Sequence, residues 1–147
     1  ALKEVADTID VVDTFHCASL WYRIAHHLFL HGLPQRLPDL AKANDNIYRL
    51  VNKNHYDIVW IDKGLTIAPE TLLYIKQKHP DTQIVSYSPD NMALRHNQSQ
   101  QYLECIPLYD YIFTTKSYII DDMHKLGGVK FVLSIMLLRA GSIIRVF

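Results

Sequence analysis

Length, composition and charge limit what this chain can be. Its 147 residues are enough for one domain with a hydrophobic core. Fifteen basic and fifteen acidic side chains give a formal net charge of zero, and without a basic stripe we expect no nucleic-acid partner. The longest apolar stretch, residues 131–147, contains Arg139 and Arg145, so no membrane span is predicted. Cys17 and Cys105 fit no metal-binding spacing, which favours a reduced, cytoplasmic protein.

Segments typical of strands alternate along the chain with segments typical of helices. This alternation predicts parallel β-α-β units, and therefore an α/β, Rossmann-like open sheet, mostly parallel, with helices on both faces. The nearly continuous apolar run at 58–61 indicates a buried strand. Asp39 and Pro69 are expected at helix starts. The predicted strands cover 8–15, 56–62, 83–88, 111–115 and 129–133, and the predicted helices cover 17–31, 39–54, 69–79, 99–108 and 117–126.

Polar side chains follow three of the predicted strands. In parallel sheets, ligands bind beyond the carboxyl ends of the strands, and carboxylate, amide and ammonium groups suit a hydroxyl-rich ligand such as a sugar. Asp90 is a candidate general base toward an acceptor hydroxyl, and Tyr87 and Tyr102 are candidate ring surfaces for a sugar. The same residue types also favour turns and helix caps for local reasons. The candidate site residues are Asp62, Lys63, Gly64, Ser88, Asp90, Asn91 and Lys116.

The order of these segments resembles a known enzyme family. YDIVWIDKG at 56–64 is followed by IVSYSPDN at 84–91, then by Ser99 and Tyr102, YDYIFTTK at 109–116, Leu126-Gly127 and Val129. This series, over residues 45–133, resembles the CgeB-like, spore-maturation-type glycosyltransferases, GT-B enzymes related to glycosyltransferase family 4. The order and spacing of the segments carry the resemblance more than any single motif.

The resemblance implies that residues 1–147 form the N-terminal, acceptor-side half of a two-domain transferase. The acceptor would be a glycan or another hydroxyl-bearing small molecule. The nucleotide-sugar donor would bind a C-terminal domain that this chain lacks, so we expect the isolated chain to be inactive. No metal or other cofactor is expected. Lys63, Asp90 and Lys116 would face the cleft, and the two lysines would supply positive charge near acceptor or donor phosphates.

Two features depart from the family pattern. The usual first strand, with its glycine-containing loop, has no recognisable counterpart. Residues 134–147, SIMLLRAGSIIRVF, are apolar and do not resemble the polar linker that leads into the donor domain. The sequence therefore predicts that 134–147 form an atypical tail.

Other functions remain open at this stage. A receiver-like signalling domain also places an Asp, a Ser or Thr and a Lys after successive strands, and Asp62, Ser88 or Ser86, and Lys116 imitate that trio. Such a domain needs an acidic pair at the end of its first strand, whereas Asp10 and Asp13 fall within the predicted strand. A third alternative is a non-catalytic α/β interaction module. The four-residue spacing of His27 and His31 suits a metal, but no acidic or Cys partner lies at motif distance.

Overall fold

A computed structural model describes residues 6–15, 19–128, 130–132 and 140–147. Its centre is one six-stranded sheet in which every pair of neighbouring strands is parallel. The predicted α/β, Rossmann-like open sheet is confirmed. The strands are β1 (Ala6–Val12), β2 (Ile58–Asp62), β3 (Gln83–Ser88), β4 (Tyr111–Thr114), β5 (Phe131–Val132) and β6 (Ala140–Val146), and their order across the sheet is β1-β6-β2-β3-β4-β5.

The helices begin and end close to the signals in the sequence. Pro69 opens its helix at a first-turn position, as predicted. The helix predicted at 39–54 begins instead at Ala43, with Lys42 at the N-cap, although the Asp39 carboxylate accepts hydrogen bonds from the backbone N–H groups of Ala43 and Asn44, at 2.9 and 2.8 Å. The predicted helix at 99–108 is α-helical only to Cys105, after which a 3₁₀ turn carries the chain past Pro107. The helices are α1 (Leu20–Leu30), α2 (Ala43–Lys53), α3 (Pro69–Lys78), α4 (Gln100–Cys105) and α5 (Ile120–Lys125), with 3₁₀ turns at Arg95–Asn97, Ile106–Leu108 and Ser117–Ile119.

The last strand corrects the prediction of an atypical tail. Residues 140–146 form β6, which lies between β1 and β2 and pairs with both. Ile143, Ile144 and Val146 are buried. Consecutive β-branched side chains cover both faces of a central strand, which explains why this apolar segment enters the sheet. Residues 133–139, which include the end of the last predicted strand, lie outside the described residues, as does Val129.

Two apolar clusters occupy opposite faces of the sheet. The larger one packs helices α2 to α5 against strand residues, with Ile47, Leu72, Cys105 and Met123 among its members. The smaller cluster consists of strand residues: Ile58, Trp60, Val85, Phe113 and Ile143. Successive residues of a strand alternate between these two faces, so the position of each strand-end residue determines which cluster its side chain joins.

The thiol of Cys105 should be unreactive in the folded protein. Cys105 is fully buried on α4, its Sγ lies 3.4 Å from the carbonyl oxygen of Ile67, and burial raises the pKa of the thiol to about 12. Since the thiolate is the reactive form, we expect reaction with DTNB to be about a thousandfold slower than in denaturant. A Cys17→Ser variant isolates this thiol, because the sequence has two cysteines and Cys17 is the other one. Equal rates in the two conditions would contradict the packing of α4.

Candidate functional site

The carboxyl ends of β2, β3 and β4 bring together three of the predicted site residues. Asp62 pairs in register with Tyr87, and Ser88 pairs with Thr114, so the loops after these strands start side by side. Lys63 Nζ donates to Asp90 Oδ2 at 2.7 Å. Lys116 lies close enough to Asp90 for its charge to lower the pKa of that carboxyl. We call Lys63, Asp90 and Lys116 the strand-end rim.

Asp90 is ionised at neutral pH. The hydrogen bond and charge of Lys63, followed by the charges of Lys116 and His96, lower the pKa of its carboxyl. The Lys63 and Asp90 side chains are 35% and 46% exposed, so the pair contributes at most about 1 kcal/mol to stability. That contribution is present above the unfolded-state pKa of Asp90 and is lost as the pH falls through its lowered folded-state pKa. A carboxylate in this state accepts hydrogen bonds well but is a weak base.

The backbone at Lys63 and Gly64 adopts an uncommon conformation. Both residues have positive φ, +63° and +58°, and the N–H of Gly64 donates to the carbonyl oxygen of Asp62 at 2.7 Å to close a three-residue turn. Within the described residues, Lys63 and Lys42 are the non-glycine residues with positive φ. Because this conformation costs free energy in a residue with a Cβ, a lysine at position 63 suggests that its side chain is needed there.

Asp62 comes at the end of β2, but its side chain joins the opposite face. Its Oδ1 accepts a hydrogen bond from Trp60 Nε1 at 2.9 Å, and its Oδ2 accepts one from Arg145 Nε at 2.9 Å. The carboxylate is only 19% exposed. Asp62 therefore fixes the end of β2 against β6, and its side chain is not available to a ligand at the rim.

Ser88 and Asn91 shape the loop that carries Asp90. Ser88 is buried, and its Oγ accepts a hydrogen bond from the backbone N–H of Asp90 at 3.1 Å. The side-chain oxygen of Asn91 accepts one from the N–H of Ala93, also at 3.1 Å. These contacts form turns, which is the structural role that Ser and Asn also favour when they bind no ligand. The buried Ser88 hydroxyl therefore fixes the backbone at Asp90 and does not face a ligand.

The two tyrosines considered as sugar platforms do not lie open at the rim. Tyr102 is fully buried in the larger core cluster, so the prediction that it offers a ring surface is wrong. Tyr87 is half-buried, and its ring lies 5.8 Å from that of Trp60, with the smaller cluster. Alternation along β3 places Tyr87 on the face opposite Ser86 and Ser88.

Helix α1 carries His26, a residue that no sequence pattern singled out. Arg95, in the loop after Asp90, donates two hydrogen bonds to the carbonyl oxygen of Phe29, at 2.9 and 2.6 Å, and ties the end of α1 to the strand-end loops. His26 on the same helix is half-buried. Its Nε2 is shielded from solvent and has no hydrogen-bond partner within the described part of the chain. Burial and then the charge of Lys63 lower the pKa of His26.

The arrangement of acidic residues does not favour a receiver-like site. Asp10 accepts a hydrogen bond from the Tyr56 hydroxyl, and Asp13 accepts one from the N–H of Phe15. Strand β6 separates β1 from β2, so these carboxylates lie two strands away from Asp62. Ser86, one of the proposed trio, is buried in the core.

Within the described residues, the histidines of α1 belong to no cluster that could hold a metal ion. The rings of His27 and His31 are in edge-to-face contact, with centroids 4.3 Å apart. Across residues 6–15, 19–128, 130–132 and 140–147, no group of three or more His, Cys, Asp or Glu side chains is arranged to hold a metal ion. Nor does any helix in these ranges have the length and hydropathy to cross a bilayer.

Comparison of the chain with protein-family models, with curated proteins and with solved structures gave no match.

Proposed function

We propose that the strand-end rim is the acceptor-side wall of a glycosyltransferase site, in a chain equivalent to the N-terminal half of a CgeB-like GT-B enzyme. The observation that supports this most directly is the 2.7 Å contact between Lys63 and Asp90, with Lys116 nearby, at the carboxyl edge of a parallel sheet. That edge is where open α/β sheets bind ligands. The donor, a nucleotide-sugar, would bind a second domain facing this edge.

Each rim residue has a chemical role in this proposal. Asp90, held as a carboxylate by Lys63, would accept a hydrogen bond from the acceptor hydroxyl and orient its oxygen toward the sugar. In the transfer, that oxygen forms the new glycosidic bond, the nucleotide leaves with the electrons of the old one, and the hydroxyl proton passes to a phosphate oxygen of the leaving nucleotide. Lys63 and Lys116 would stabilise negative charge on the substrates. Gly64, Ser88 and Asn91 support these side chains, and Asp62 anchors β2.

Two other functions are separable by experiment. Phosphorylation of Asp62 by acetyl phosphate with Mg²⁺ would favour a receiver-like domain. A chain that binds a macromolecular partner but no sugar would favour a non-catalytic interaction module. Asp62 is ion-paired with Arg145 and hydrogen-bonded to Trp60, so the receiver-like domain has the weaker structural support of the two.

Replacing Lys63 by glycine tests the proposal without disturbing the backbone. Glycine accepts a φ of +63° without strain, so we expect stability to be unchanged or raised by up to about 1 kcal/mol. Sugar binding should weaken about tenfold or more, because a charge-assisted contact is lost. The measurement is an NMR titration of the ¹⁵N-labelled chain with glucose, N-acetylglucosamine and UDP-glucose.

Lys42→Gly is the matched control, since Lys42 has a φ of +55° but lies before α2 and is exposed. It should show the same change in stability with unaltered binding. Asp90→Asn should weaken binding as Lys63→Gly does. If none of the three probes shifts the amide signals of residues 63, 90 and 116, the rim is not a sugar site.

A further inference from the structure

A groove lies at the β1 end of the sheet, where the carboxyl end of β1 runs beside α2. Its volume is about 480 Å³, which is within the range of small-molecule sites in proteins. Strand β6 lies between β1 and β2, so this groove is separate from the strand-end rim. We call it the β1 groove, and the described residues that line it are Val11, Val12, Asp13, Phe15, Ala41, Asn46, Arg49 and Leu50.

Two side chains of opposite charge line the β1 groove without pairing with each other. Arg49 is exposed on α2, where it donates a hydrogen bond to Oδ1 of Asn46, and it belongs to none of the ion pairs among the described residues. Oδ1 of Asp13 accepts the N–H of Phe15 at 2.7 Å, whereas its Oδ2 accepts no hydrogen bond from the described residues. A guanidinium and a carboxylate that share a groove in this way can each bind an opposite charge of one ligand.

The outer edge of β1 adds backbone groups to the groove. The N–H of Phe147 donates to the carbonyl oxygen of Val12 at 3.0 Å, and the N–H of Thr14 donates to the carbonyl oxygen of Phe147 at 2.6 Å. In a parallel ladder, the residue between such a pair directs its own N–H and C=O away from the neighbouring strand. That residue is Asp13, so its carbonyl oxygen lies with its carboxylate on the outer edge and can accept from the same cation.

The β1 groove also has an apolar part. Phe15 and Val11 are 79% and 56% exposed, and Leu50 of α2 lines the same groove. An apolar group placed against these side chains removes their surface from water, which favours binding. The phenyl ring of Phe15 also suits contact with a second ring.

We propose that the β1 groove binds a small zwitterion, an α-amino acid with an apolar or aromatic side chain. The carboxylate of the ligand pairs with Arg49, and its ammonium group pairs with Asp13. The side chain of the ligand packs against Phe15 and Val11. This site is additional to the proposed sugar site, and neither depends on the other.

The test is an NMR titration of the intact ¹⁵N-labelled chain at neutral pH and constant ionic strength. L-Phenylalanine carries all three groups, whereas 3-phenylpropionate lacks the ammonium, phenethylamine lacks the carboxylate and glycine lacks the side chain. We expect L-phenylalanine to shift the amide signals of residues 11, 13, 46 and 49. Each of the other probes should bind at least about tenfold more weakly, because each loses one contact.

Two variants assign the charges to their partners. Arg49→Gln should weaken the binding of L-phenylalanine about tenfold but leave that of phenethylamine, which has no carboxylate, unchanged. Asp13→Asn should weaken L-phenylalanine equally but leave 3-phenylpropionate unchanged, and its side-chain oxygen can still accept the N–H of Phe15. Arg23→Gln is the control, because Arg23 is exposed on α1 and does not line the groove. Circular dichroism establishes that each variant folds.

Three results would overturn the zwitterion site. In the first, 3-phenylpropionate or phenethylamine binds as tightly as L-phenylalanine. In the second, Arg49→Gln has no more effect than Arg23→Gln. In the third, L-phenylalanine shifts no signal of the groove. The sugar titrations are read at residues 63, 90 and 116, so the two proposals can fail separately.

Discussion

The Gly64→Ala variant will be about 3 kcal/mol less stable than the parent chain. Gly64 has a φ of +58°, which an alanine adopts only with strain. A Cβ built on Gly64 would lie 2.4 Å from Cγ2 of Ile61, far inside van der Waals contact. Ile61 is fully buried and has no free space to move into, so the clash adds to the backbone strain. Urea denaturation, with the midpoint and slope compared, measures the loss.

Gly32→Ala is the control that separates the two causes. Gly32 also has a positive φ, +94°, but a Cβ there would meet no atom within 4 Å. Its substitution should cost only the backbone term, about 1 kcal/mol. The difference between the two variants is then the cost of the contact with Ile61. If both variants lose the same stability, Gly64 does not pack closely against Ile61.

Much of the sheet followed from local signals in the sequence. The strand predicted at 83–88 coincides with β3, and α3 begins at Pro69 as expected. Short apolar runs bounded by turn residues predict such elements because the signal is local. The segment that became β6 carries the same local signal, with Ile143, Ile144 and Val146. Its place between β1 and β2 depends on pairing with residues more than 80 positions away, which no local pattern encodes.

The candidate site was predictable in part. The parallel sheet puts the loops after β2, β3 and β4 at one edge, and this is what brings Lys63 and Asp90 together. The orientation of Asp62 was open to prediction as well, since it lies two residues after Trp60 and alternation puts both on one face. A prediction based only on position after a strand places the Asp62 side chain at the rim, whereas alternation along the strand places it on the opposite face.

The contribution of α1 was not predictable. Arg95 ties the end of α1, the helix that carries His26, to the loop after β3, a contact between residues 66 positions apart. Neither residue belongs to a recognisable motif. Lys63, with its unusual φ, likewise donates its N–H to the carbonyl oxygen of Tyr87 on the neighbouring strand, at 2.8 Å, a tertiary contact that no preference of lysine predicts. Features that arise from tertiary contacts of this kind are also the ones most closely linked to the proposed binding site.

The Asn44→Ala variant should lose about 3 kcal/mol of stability and should loosen the rim. The Asn44 side-chain amide bridges the start of α2 to the loop between β2 and α3. Its Nδ2 donates to Asp39 Oδ2 and to the carbonyl oxygen of Thr66, at 2.7 and 2.9 Å. Its Oδ1 accepts from the N–H of Ala68 and the hydroxyl of Thr71, at 2.9 and 2.7 Å. Alanine leaves the buried Thr71 hydroxyl without this acceptor.

Asn46→Ala, two residues along the same helix, is the matched control. Asn46 accepts a single exposed hydrogen bond from Arg49, so its loss should change stability by less than about 0.5 kcal/mol. Hydrogen exchange in Asn44→Ala should quicken at residues 64–68, since the loop loses its tie to α2 while the strands keep their pairing. Because this loop begins at Gly64, next to Lys63, the same variant should weaken sugar binding although Asn44 is remote from the rim charges. Faster exchange throughout the sheet would instead mean that Asn44 supports the whole fold rather than this loop.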